Sequence, residues 1–383
     1  MNVSTTGPAA RGTVELRVLN TRRVLTALRD RAVPARIAEL AETTSLTRPT
    51  VTQIVSRLEE RGWIQRFAPA EAAGRPATRY GLRPRALVVL GADAGAHRAV
   101  VELAVLDGDT LARRELLRPP PLGADMIAAL DHMVVECLDE VGIDPAGVLA
   151  GTVATPGIVD RVSGEITLAP GLGSWNARDV SSVLGARIGG PVAVENDANL
   201  AARAMCAVPG VPSSFLGLQW GQRLGSGVVL EGRILRGSNG AAGELGSLLL
   251  TDPRTGEVSR LEEVGRASWR PAAGGMPDVT IEELLTLVSQ GEERAVRALR
   301  QAIDPLLAAV APMCLGLDLQ AVMVSGAIAR SGPALSSAME AGLAERGAEG
   351  VSCVLSPFHE DTVLRGAVSE AIDTAWAAML DAC

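Results

Sequence analysis

Apolar positions along the first sixty residues recur with a helical period. Leu16, Leu19, Val24, Leu25 and Leu28 fit one amphipathic helix, and Ile37, Leu40 and Ala41 fit a second, short one. A turn follows at Thr43 to Leu46. Val51, Ile54, Val55 and Leu58 then repeat at i, i+3, i+4 and i+7, which places them on one face of a third helix. Thr47 precedes that helix, where a hydroxyl can accept from free N–H groups. Pro49 falls in its first turn, where the missing donor is not needed. Gly62 predicts its end. With the apolar stripe turned to a core, Arg48, Thr50, Thr52, Gln53, Ser56 and Arg57 point outward. Trp63 to Arg66 and Thr78 to Leu82 predict two short strands around a tip that carries Gly74, Arg75 and Pro76. Three helices followed by strand, tip and strand make a winged helix-turn-helix.

Beyond Pro84 the pattern changes. The apolar run Leu87 to Leu90 leads into Gly91-Ala92-Asp93-Ala94-Gly95, and Val100 to Leu106 alternates until Asp107-Gly108, giving strand, tight turn and strand. A helical pattern at 124–141 and a strand at 148–154 follow, so the remainder reads as an α/β domain.

Charge sharpens this division. Residues 1–85 carry 15 Arg against 7 acidic residues, a balance of +8, whereas the rest carries 21 against 37, a balance of −16. Every basic side chain other than His is Arg. A basic head on an acidic body suits an anion such as DNA, because phosphate contacts need fixed cations. Side chains at a helix start that can donate and accept are those that enter a major groove, which nominates Arg48, Thr50, Thr52, Gln53 and Arg57. Arg75, between Gly and Pro, suits a narrow minor groove, although the same three residues also suit a plain turn. The five cysteines, Cys137, Cys206, Cys314, Cys353 and Cys383, are scattered without a C-x-x-C pair, so reduced packing thiols are expected. The chain opens without a charged-then-apolar leader, and its longest apolar stretch, Leu306 to Leu317, is interrupted by Pro312. A cytoplasmic protein without a membrane partner is expected.

Three segments in order then become informative. Gly151-Thr152-Val153-Ala154-Thr155-Pro156-Gly157-Ile158-Val159-Asp160, Val194-Glu195-Asn196-Asp197-Ala198-Asn199, and Gly237 to Gly246 ending in Ala242-Gly243-Glu244-Leu245-Gly246 together resemble the ROK family of repressors and sugar kinases. Arg23 to Leu82, with its Gly-Arg-Pro, resembles the winged helix of the repressor branch. The resemblance implies an α/β chain in three parts: a winged helix-turn-helix with linker at 1–85, a small lobe at 86–195 and a large lobe at 196–383. The two lobes form an actin-like ATPase (ribonuclease H-like) domain, with the C-terminal helix expected to return to the small lobe. It also places sugar-contacting positions at Asn196, Asp197, Glu244 and Glu262. Amide and carboxylate groups can each bind neighbouring hydroxyls, and in a kinase of the family Asp197 would be the catalytic base.

The resemblance fails at the phosphate loops. The family's first loop, Asp-x-Gly-Gly-Thr, is Asp93-Ala94-Gly95-Ala96-His97 here, and a Gly-Thr-Gly is Gly221-Gln222-Arg223, which sets a guanidinium where backbone must approach phosphate. The late glycine pair is Gly326-Ala327. The family's zinc positions, one His and three Cys, fall on Ser247, Pro253, Thr255 and Arg260, so no zinc and no cofactor are expected. A common Asn contact upstream of Trp175 is Gly171. The expected function is a homodimeric or dimer-of-dimers transcription regulator, a repressor by family analogy, that binds double-stranded operator DNA and responds to a sugar or sugar-like effector. The alternatives are an active sugar kinase with a DNA-binding head, and a ligand-blind repressor or activator.

Overall fold

The structure is a computed structural model and describes residues 8–31, 33–67, 78–83, 87–160, 162–167, 175–221, 223–251, 256–268, 275–276 and 278–382. Its first unit contains α1 (Pro8–Arg29), α2 (Ile37–Thr44), α3 (Arg48–Glu60), β1 (Ile64–Phe67) and β2 (Arg79–Leu82). Ser45, at φ 56°, turns the chain between α2 and α3. Thr47 caps α3 by accepting from the Thr50 N–H at 3.4 Å, and β1 pairs antiparallel with β2. This is a winged helix. Val24, Leu25, Leu28, Leu40, Val51, Ile54, Val55 and Leu58 form its core. Leu16 and Leu19 depart from the predicted stripe and are 58% and 47% exposed. The described burial on α1 begins only at Thr21, where the helix first meets the rest of the head.

The body holds two five-stranded sheets. β3 (Val88–Ala94), β4 (Arg98–Val105), β5 (Thr110–Leu117), α4 (Ala124–Val141), β6 (Val148–Thr155), the short pair β7 (Ile158–Val159) and β8 (Ile166–Thr167), α5 (Ala177–Arg187) and β9 (Val192–Asn196) come first. Their main sheet has the order β5-β4-β3-β6-β9. After α6 (Asp197–Met205) come β10 (Phe215–Trp220), β11 (Leu224–Leu230), β12 (Arg233–Leu235), the hairpin β13 (Leu249–Thr251) and β14 (Val258–Arg260), then α7 (Leu261–Ser268), α8 (Ile281–Ser289) and α9 (Glu293–Gly316). β15 (Ala321–Ser325), α10 (Pro333–Ala344), β16 (Ser352–Leu355) and α11 (Thr362–Asp381) finish the chain. The second sheet, β12-β11-β10-β15-β16, repeats the order of the first, and in both the first three strands are antiparallel and the last two parallel. Two such lobes define the actin-like fold.

The alternation read at Val100 to Leu106 does not mark a half-buried strand. Both faces of β4 are buried, because the sheet lies between α4 and α11. β5 carries Arg113, Arg114 and Glu115 and lies at the sheet edge, where charged side chains reach solvent. α9 continues through Pro305 and Pro312. It is long and apolar enough to cross a membrane, yet its apolar face lies in the large-lobe core with Leu299, Ile303, Leu306 and Val310.

α11 joins all three units. It packs on β3 and β6 and crosses α6, where Gly366 faces Leu200; a Cβ there would lie 1.8 Å from the Leu200 carbonyl oxygen. Its last turns bury Ala375, Trp376 and Met379 in the same apolar cluster as Val24, Leu25 and Leu28 of the head. Arg29 lies over the Trp376 ring at 5.4 Å, and Arg22 pairs with Asp381 at 2.6 Å. Cys137, Cys314 and Cys353 are buried free thiols and Cys206 is a half-buried one.

Candidate functional site

The first nominated surface is the start of α3. Arg48, Pro49, Thr50, Thr52 and Gln53 line one open concavity. The threonine hydroxyls are engaged locally: Thr50 bonds Thr47 at 2.8 Å, and Thr52 donates to the Arg48 carbonyl at 2.9 Å. Their methyl groups are left for apolar contact. Arg48 and Gln53 are exposed, Arg57 is half-buried, and none of the three has a side-chain partner among the described residues. Arg66, by contrast, is held by Glu59 at 2.6 Å. Arg75 lies outside the described residues, as do Gly74 and Pro76.

The second surface lies where β9 meets α6. Asn196 ends β9 and caps α6: its Oδ1 accepts from the Asn199 N–H at 3.0 Å, and its Nδ2 donates to the Gly157 carbonyl at 2.9 Å. Both ends of this amide therefore hold the fold, which sets it apart from the other three nominated positions. Asp197 opens α6 and is half-buried, with Oδ1 accepting from the Ala198 N–H at 2.8 Å. Burial raises its carboxyl to about 6, opposed by that N–H and by Arg223. Glu244 follows the glycine-rich loop after β12. Burial first, and the charge of Asp197 second, raise it to about 7. Asp93 on β3 is raised to about 7 in the same way.

Glu262, near the start of α7, accepts from the Arg223 Nε at 2.9 Å. The guanidinium also acts electrostatically on Asp197 and Glu244. Arg223 is thus committed to the carboxylates. Asp93, Asp197, Glu244, Glu262 and Arg223 form one electrostatic group drawn from both lobes. Carboxyls that ionise near neutrality can donate as well as accept, which matches vicinal hydroxyls.

The loop that brings Glu244 here crosses between lobes. Gly240, at φ 77°, sits so close to β7 that a Cβ would lie 2.4 Å from the Val159 carbonyl oxygen. Nothing in the sequence of this loop marks Val159 as its anchor. Arg236, just before it, donates to Glu195 at 2.6 Å and to Glu370 on α11 at 2.9 Å. Its only sequence signal was proximity to the loop.

The family's phosphate and zinc groups do not fit these residues. Arg223 with its Glu262 partner stands in the second phosphate loop. Of the four zinc positions, the described ones are a Ser247 hydroxyl and an Arg260 guanidinium, neither a zinc ligand; Pro253 and Thr255 lie outside the described residues.

A winged helix on a two-lobed actin-like body, with a carboxylate-rich group where the lobes meet, defines the class of protein. Residues 89–371 match the ROK family and residues 23–71 match the MarR family. The chain belongs to the ROK family. It is 25% identical over 243 residues to the xylose repressor of Caldicellulosiruptor bescii, covering 60% of this chain and 58% of that one. It is 28% identical over 247 residues to the DNA-binding transcriptional dual regulator NagC of Escherichia coli, covering 63% of this chain and 60% of that one. The chain thus spans a little under two thirds of these relatives. A solved ROK family transcriptional regulator, a homologue of the Escherichia coli MLC protein, shares the fold with a TM-score of 0.77 at 22% identity, over 96% of this chain and 98% of its own.

Proposed function

We propose that this chain is a cytoplasmic DNA-binding transcription regulator, a repressor in its main role, whose former kinase cleft senses a sugar or sugar-like effector. The observation that carries the reading is the start of α3, where Arg48 and Gln53 stand exposed and without side-chain partners among the described residues. Arg suits the O6 and N7 acceptors of guanine and Gln the N6 and N7 pair of adenine. A homodimer would set two such helices on a pseudo-palindromic operator, with spacing fixed by its symmetry. An effector between Asp197, Glu244 and Glu262 would favour one lobe arrangement and shift the heads through α11.

The pairing of Arg223 with Glu262 supports a binding role rather than ATP-dependent phosphoryl transfer. Mobility shift on the chain's own upstream DNA tests the first half: Arg48→Ala is expected to weaken specific binding by about 10- to 100-fold. Unchanged affinity would remove the α3 assignment. An ATP-consumption assay across hexoses and amino sugars tests the second half. Turnover above an Asp197→Ala control would restore the kinase reading.

A further inference from the structure

Glu195 is a carboxylate with 8% side-chain exposure at the end of β9, immediately before the two nominated residues Asn196 and Asp197. A buried charge of this kind requires partners. One oxygen receives the Asn196 N–H at 3.0 Å and the Asn199 amide at 3.1 Å, and the other receives Arg236 Nε at 2.6 Å. Glu195 therefore fixes the start of α6, and Arg236 is its cation.

Arg236 reaches further. Its carbonyl accepts the Ala242 N–H at 3.2 Å and so closes the loop that delivers Glu244. Its other guanidinium branch donates to Glu370 at 2.9 Å. Glu370 lies on α11 less than two helical turns before Trp376, which is buried against the head, and about three turns before Asp381, which pairs with Arg22. One residue thus joins the Glu244 loop through its carbonyl and, through its planar side chain, the α6 start and the helix that docks the head.

We infer that Arg236 is a positioning residue that couples the state of the cleft to the seating of the DNA-binding head on α11. The inference deepens the regulator reading and rests on it. Its physical basis is the fixed fork of the guanidinium, which can satisfy Glu195 and Glu370 together only when α11 and the β9–α6 junction hold one relative position. A shift of either element separates one of the two pairs. Coupling of this kind is reciprocal, so DNA on the head must be felt in the cleft even with no effector present.

That reciprocity supplies the test. Hydrogen exchange of the full chain, followed by mass spectrometry, is measured with and without a DNA duplex selected for binding. In the unaltered chain the duplex protects α1 and α3 and is expected to change exchange at 195–199 and 236–244 by about fivefold or more. In Arg236→Gln the head stays protected and the cleft change falls below about twofold. Glu370→Gln, which leaves the Glu195–Arg236 pair in place, is expected to do the same and serves if Arg236→Gln does not fold. Asp373→Asn removes a neighbouring partner of Arg203 without touching Arg236 and should leave the coupling intact.

A cleft change that persists in both Arg236→Gln and Glu370→Gln overturns the inference. So does a protected head with no cleft change in the unaltered chain. If the duplex fails to protect the head at all, the regulator reading falls and takes this inference with it; the separate readout from α1 and α3 distinguishes that case. A uniform rise in exchange that includes β10 would mark a merely structural role and also count against coupling.

Discussion

Replacing Glu244 with Gln should stabilise the protein at pH 8 and do much less at pH 5. Burial and the neighbouring Asp197 raise this carboxyl from 4.5 to about 7, so between those values the folded chain holds a proton that the unfolded chain has released. Stability therefore falls as pH rises through that window. At about 1.36 kcal/mol per tenfold, the raised value costs about 3 kcal/mol at pH 8, where the group is ionised in the fold, and about 1 kcal/mol at pH 5, where it is protonated there. The unscreened difference between the two pH values is thus about 2 kcal/mol; Glu244 is only half-buried, and solvent screening brings the expected difference to about 1 kcal/mol. Gln keeps the shape and cannot ionise. Urea unfolding of wild type and Glu244→Gln at both pH values reads the difference as a midpoint shift, provided the slope with denaturant is unchanged. An equal shift at pH 5 and pH 8, or a variant less stable than wild type at pH 8, would refute the argument. Asp93 and Asp197 are raised as well, so the wild-type cleft as a whole should favour mildly acidic conditions.

Other substitutions probe the joints between units. Trp376→Ala removes the ring that Arg29 covers and leaves a cavity between α11 and the head; a loss of about 3 kcal/mol predicts roughly 100-fold faster hydrogen exchange in the buried half of α1. Asp381→Ala should change that exchange by less than about fivefold, because its pair with Arg22 is exposed. Gly366→Ala sets a Cβ against the Leu200 backbone, which no rotamer change can relieve, and should cost about 3 kcal/mol or more, seen as a lower melting temperature or insoluble protein.

The head was legible because its signals are local. The i, i+3, i+4, i+7 stripe, the Thr47 cap and Pro49 each act within a few residues, and α3 forms where they place it. Leu16 and Leu19 were misread because a helical period does not say where the partner surface begins. β5 escaped notice because Arg113, Arg114 and Glu115 hide an edge strand behind charge, and Arg113 and Arg98 in fact hold Asp361 before α11. Asp197, Glu244 and Glu262 were nominated by resemblance, but sequence could not show that Arg223 binds Glu262 or that the Asn196 amide is engaged at both ends. The Glu195–Arg236–Glu370 set was invisible for a simpler reason: its members lie far apart in the chain and form no motif.

α11 also orders events during synthesis. The head leaves the ribosome first, but the surface that receives Val24, Leu25 and Leu28 includes Trp376 and Met379, made more than 340 residues later, and the Arg22–Asp381 contact spans 359 positions. Until then the head lacks that surface and has no fixed orientation relative to the lobes. On the proposed regulator reading, a newborn chain touches DNA before it answers to a ligand, and response is gained only when α11 is in place.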